Sequence, residues 1–121
     1  MQPTMTICNL TEQDILNRAK DAFGKEPRWF AFLAMPKSHT VVTYREHDTD
    51  FFGADYYATR KNYDLEVRVF YREDMLPEDR VNELKFEDSV RNAGSFTKDT
   101  GYNADEKLFY TLYTFNIEEE F

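Results

Sequence analysis

The alternation of apolar and polar positions divides the chain into helical and extended stretches. In "NLTEQDILNRAKDAFGKEP", Ile15, Leu16, Ala19, Ala22 and Phe23 recur at the spacing that gathers side chains on one side of a helix. Thr11 stands where it can cap that helix, with Asp14 three residues on as its reciprocal partner. Leu10 and Ile15 occupy staple positions, and Gly24 followed by Pro27 marks the stop. "RWFAFLAM" then reads as a strand cut off by Pro36, and "SHTVVTYRE" as a second strand. With only "PKSH" between them, the two are predicted to pair as a hairpin. "HDTDFFGADYYATRKN", rich in Asp and aromatic residues, reads as a long excursion from the sheet that ends in extended structure.

"YDLEVRVFYR" has a clean period of two. Tyr63, Leu65, Val67, Val69 and Tyr71 form its core side; Asp64, Glu66, Arg68 and Arg72 point the other way, with Phe70 among them. Pro77 opens a second helix over "PEDRVNELKFEDSVRNAG", ending at Gly94. Its apolar residues split into two pairs, Val81 with Leu84 and Phe86 with Val90, so the pattern leaves its buried face open. A short strand, a turn region over 100–105 and a long last strand complete the chain. That last strand, in "EKLFYTLYTFNIEEEF", does not alternate. Leu108, Tyr110, Leu112 and Thr114 lie in one phase, and Phe109, Thr111, Tyr113, Phe115 and Ile117 in the other, so both faces call for cover. The order α-β-β-β-α-β-β predicts one α+β domain over residues 1–121. We expect a single-layer, mostly antiparallel sheet of four to five strands with two helices packed on one face.

Length agrees with one domain, since 121 residues build one core and not two. The formal charge of −8 argues against duplex binding, which needs clustered Lys and Arg. It does not exclude a protein that lets DNA pass without holding it, because a negative wall repels phosphate. Cys8 is the one cysteine, so no intrachain disulfide forms. The start "MQPTMTICNL" lacks a signal peptide's features and no stretch is long and apolar enough to span a membrane, so synthesis in the cytoplasm is expected.

Candidate chemistry is sparse. His39 and His47 lie near Asp48, Asp50 and Asp55, residue types that bind metals when three or four converge, but a solvated polar loop accounts for them more simply. Cys8 has no local signature of a nucleophile and reads as a buried or idle thiol. The four glycines form no phosphate-cradling loop, and Asp64, Glu66, Glu73 and Asp74 need no catalytic explanation. We expect no enzymatic activity and no cofactor. The aromatic residues Phe51, Phe52, Tyr56 and Tyr57 around Gly53 read either as a small core under a loop or as an arm that docks on another chain. Stacking on single-stranded nucleic acid has only Arg60 and Lys61 to support it.

Taken whole, the chain resembles the small head–tail joining or tail-terminator proteins of long-tailed bacteriophages and prophages. The likeness runs through "SHTVVTYRE", "FFGADYYA", "YDLEVRVFY", the acidic "REDMLPED" before the second helix, and "YNADEKLFYTLYTF". Ala54 with Asp55 matches the family's middle-loop pair, and Glu106 its acidic residue before the last strand. Glu73, Asp74, Glu78 and Asp79 match the acidic strand–helix joint. The resemblance implies a non-enzymatic virion protein of the tail and neck, made in the host cytoplasm. It would form a six-subunit ring that caps the tail tube and meets the head-neck connector, with DNA passing through the hole and no membrane partner. The interface residues expected on this view are Asp48, Asp50, Phe51, Phe52, Asp55, Tyr56, Tyr57, Phe109, Tyr113 and Phe115, with neighbouring subunits covering part of the sheet's second face. The alternative is a small cytoplasmic binding module, or a metal-binding enzyme using the His- and Asp-rich loop.

Overall fold

The structure, a computed structural model, describes residues 8–29, 39–53 and 60–120. The first helix, α1 (Glu12–Phe23), forms where its pattern places it. The Thr11 hydroxyl accepts from the Asp14 N–H, and the Asp14 carboxylate accepts from the Thr11 N–H, so two of the helix's orphan donors are satisfied. Gly24 ends the helix at φ 68°, in the left-handed region that glycine enters without penalty. Ile15, Leu16, Ala19, Ala22 and Phe23 are all buried.

Among the described residues five strands make one mixed sheet: β1 (Arg28–Trp29), β2 (Thr40–Phe52), β3 (Arg60–Tyr71), β4 (Phe96–Asn103) and β5 (Leu108–Glu120). Their order is β1-β2-β3-β5-β4. The second helix, α2 (Pro77–Val90), links β3 to β4 through a short 3₁₀ turn. The fold is therefore α+β, with the expected sequence of elements. The core side of β3, Tyr63 to Tyr71, packs with the apolar residues of α1 and with Phe86 and Val90 of α2 in one cluster, so both helices lie on the same face. Directly opposed residues across the ladder share a face, which adds Val42 of β2 and Tyr113, Phe115 and Ile117 of β5 to that core.

Two expectations are corrected. β1 pairs with β2 in parallel, Arg28 beside Thr43 and Trp29 beside Tyr44, so these strands are not a hairpin; a hairpin turn delivers antiparallel neighbours. The rest of the "RWFAFLAM" strand, residues 30–35, lies outside the described residues. The segment from His47 to Phe52 is not an excursion, because β2 continues through it in register with β3 up to Phe52 opposite Arg60. The turn before the last strand begins only after Asn103, at the end of the region expected: β4 runs to Asn103, whose Oδ1 accepts from the Asp105 and Glu106 N–H groups. Lys107 closes this turn at φ 55°.

The sheet's second face answers why β5 is apolar in both phases. Leu108 joins Val41 and Phe70 there in a small buried cluster, with Tyr110 against it. One strand thus serves two cores.

Candidate functional site

Two features stand out: an aromatic arm at one end of the sheet, and a polar seam under α2. The arm begins where β2 carries one extra residue. His47 opposes Asp64 and Asp50 opposes Asn62, so three steps on β2 match two on β3, and Asp48 takes φ 50° to absorb the difference. Aspartate is among the few residues that tolerate this conformation. The bulge resets the pleat, so that Phe51 falls opposite Lys61 and Phe52 opposite Arg60. Phe51 stays largely in solvent at 61% exposure, and Phe52 is about half exposed at 47%.

The backbone beneath them is firmly held. β3 is paired on its other side with β5 as far as Arg60 opposite Glu120, so the arm is three strands wide here. Lys61 donates to both oxygens of Glu46 at 2.8 Å, and Arg60 meets Glu118 at 3.3 Å while its guanidinium stands 5.9 Å from the centre of the Phe52 ring. Exposed rings on a rigid ladder suit a contact with another macromolecule, because little conformational entropy remains to be lost on docking. Asp48 and Asp50 are exposed on the same stretch. Asp55, Tyr56 and Tyr57 lie outside the described residues.

The seam under α2 was not legible in the sequence. Glu83 is fully buried; its Oε2 accepts from the Tyr71 hydroxyl at 2.7 Å and the Thr111 hydroxyl at 2.8 Å, and the Lys98 ammonium stands 3.0 Å from Oε1. Lys98 also pairs with Glu87, and Glu87 accepts from the Tyr113 hydroxyl at 3.2 Å. At the start of the helix, buried Asp79 accepts from the Leu76 N–H at 2.9 Å and lies 2.8 Å from His39 Nε2. Burial, and then the hydrogen bond to Glu83, push the Tyr71 phenol far above its ordinary range. Burial, and then the charges of Glu83 and Glu87, do the same to Tyr113. These phenols are fixed donors at neutral pH, and the seam works as a cement between helix and sheet.

A cleft of about 390 Å³ opens beside this seam, between the loop before α2 (Asp74, Met75) and the β4–β5 hairpin (Tyr102, Phe109). Tyr71 and Thr111 are among its lining residues, and both of their hydroxyls donate to the buried Glu83 carboxylate.

The remaining expected sites separate. His39 precedes β2 while His47 sits toward its far end beside Asp48 at 3.4 Å, a separation of about 26 Å at strand rise. Among the described residues no group of three or more His, Cys, Asp or Glu side chains could hold a metal ion. Cys8 is buried in the main core. Tyr113 and Phe115, expected at a subunit interface, are buried by the chain's own Phe86, at ring separations of 5.0 and 6.1 Å. Phe109 is half-buried against Tyr102, with ring centres 4.8 Å apart. Among the described residues no helix is long and apolar enough to cross a membrane. No protein-family model and no curated protein matches the chain.

Proposed function

We propose that this protein is a structural assembly protein of the tail-terminator kind. In this reading it self-associates into a ring on the finished phage tail tube and joins the tube to the head-neck connector, with DNA passing through the opening. The observation that carries the reading is the braced arm: Phe51 and Phe52 are presented to solvent on a strand ladder too well held to fold them back onto the core. A net charge of −8, suited to a lumen that does not retain DNA, supports it.

The test is absolute mass by light scattering over a wide concentration range, alone and with isolated tail tubes, with negative-stain images of any large species. Rings of uniform size, or capping of the tube ends, are expected. A chain that stays monomeric alone and leaves the tubes bare overturns the reading.

A further inference from the structure

Three aromatic side chains stand in a row across β3, β5 and β4. Tyr71 is opposite Phe109 and Phe109 is opposite Tyr102, so all three lie on the side of the sheet that carries the helices. The row runs from the core to the solvent: Tyr71 is buried, Phe109 is half-buried and Tyr102 is 52% exposed. These rings form one side of the cleft of about 390 Å³, with Asp74 and Met75 on the other. That volume lies within the range of about 300–1,000 Å³ typical of ligand sites.

The cleft is one-sided in charge. Asp74 is the one carboxylate among the residues that line it, and no Lys, Arg or His is among them. Its Oδ1 accepts from the Met75 N–H at 2.8 Å, which fixes the side chain, yet it enters no ion pair among the described residues. The joint around it, residues 72–80, carries four carboxylates against two arginines, and neither arginine lines the cleft. Lys98, two positions before Thr100 on the same side of β4, is turned instead to Glu83 at 3.0 Å and Glu87 at 3.2 Å. Aromatic rings and a thioether beside an unpaired carboxylate suit a positive charge carried on an apolar stem.

The cleft also borders a free edge of the sheet. Thr100, Gly101 and Tyr102 belong to β4, which stands last in the strand order and pairs with β5 alone among the described residues. The outer N–H and C=O groups along its eight residues are open to a further strand. A strand added there turns alternate side chains to the helix side, where the cleft lies.

We propose that β4 and this cleft together receive an extended segment of a partner polypeptide. The segment pairs with the outer edge of β4 and lays an arginine or lysine side chain against Tyr102 and Phe109, with its charge on Asp74. Strand pairing supplies the affinity, and the cleft selects the basic residue. The site goes beyond the assembly reading and holds whether or not the chain forms a ring.

The experiment titrates the isotope-labelled full chain with a blocked pentapeptide, Thr-Val-Arg-Val-Thr, and with the same peptide carrying citrulline, the neutral isostere, in place of arginine. The arginine peptide is expected to shift the amide resonances of Met75, Thr100, Gly101 and Tyr102 and to slow hydrogen exchange along β4. The citrulline peptide is expected to bind about fivefold more weakly, the scale of one exposed charge pair. Asp74→Asn, which keeps an oxygen for the Met75 N–H, should bring the arginine peptide down to the citrulline level. Asp21→Asn, an equal change of net charge on the exposed side of α1, should alter neither. Tyr102→Ser should weaken both peptides. The three positions are exposed, so the variants keep the wild-type circular dichroism and melting temperature. Equal affinity for the two peptides, an Asp74→Asn chain that binds arginine as the wild type does, or binding that leaves the exchange of the β4 amides unchanged overturns the site. Each of these outcomes is separate from ring formation, which light scattering reads without either peptide.

Discussion

α1 and α2 lie side by side on the same face of the same sheet, yet they are built on opposite plans. α1 buries an unbroken apolar stripe and closes its N-terminal donors with its own side chains. α2 buries Asp79 and Glu83 beside Phe86 and Val90, and gives Val81 and Leu84 to the solvent. An isolated carboxylate placed where Glu83 sits would cost several kcal/mol, more than the roughly 2 kcal/mol gained by burying a leucine. The arrangement holds because the sheet beneath α2 brings donors: Tyr71 from β3, Lys98 from β4 and Thr111 from β5. The difference teaches that a helix's buried face is chosen by what it meets. The two helices are also tied to each other, since the Arg18 guanidinium donates to the Ser89 carbonyl in the last turn of α2.

The comparison can be broken most completely with alkali. The phenols of Tyr63, Tyr71 and Tyr113 are all held above their ordinary range, chiefly by burial. Their folded values exceed the unfolded value of about 10, so the native state binds the extra protons. The stability they contribute is therefore full below about pH 10 and falls as pH rises beyond it. Absorbance at the phenolate band should show these three ionising only together with loss of far-ultraviolet circular dichroism.

Truncating the shared core comes next. Phe86→Ala removes the ring that packs against Phe23, Tyr113 and Phe115, and should cost about 3–5 kcal/mol in denaturant unfolding. Glu83→Leu should cost about 3 kcal/mol, because it strands the Tyr71 and Thr111 hydroxyls without an acceptor. Adding Tyr71→Phe and Thr111→Val should recover most of that loss; a triple variant as unstable as the single one would show that shape, not hydrogen bonding, holds α2. Thr11→Ala, which uncaps α1, should cost about 1 kcal/mol by the same measurement. Leu84→Ser should stay within about 0.5 kcal/mol of the wild type, where Leu16→Ser in the buried stripe of α1 unfolds readily.

Much of this protein was legible residue by residue. The start, stop and buried face of α1 follow from a period of 3.6 and from caps made within a few residues of each other. The core side of β3, from Tyr63 to Tyr71, follows from its period of two. The arm's exposed phenylalanines were legible as a contact candidate, although their setting was not: the loop expected there is a bulged strand, and the bulge depends on the partner strand that Asp48 must stay in step with. Tyr113 and Phe115 misled for a related reason. Counted along β5 they exceed what one covered face needs, and only the arrival of Phe86 above them and the second cluster behind the strand uses both phases.

What the sequence determined by itself, then, was the set of elements, their order and the core faces of α1 and β3, because spacing and caps act within a few residues. The parallel pairing of β1 and the inward turn of Glu83 were decided by the tertiary structure alone. A carboxylate's place depends on donors that lie near it only after the sheet has formed, and Thr111 is twenty-eight positions away along the chain.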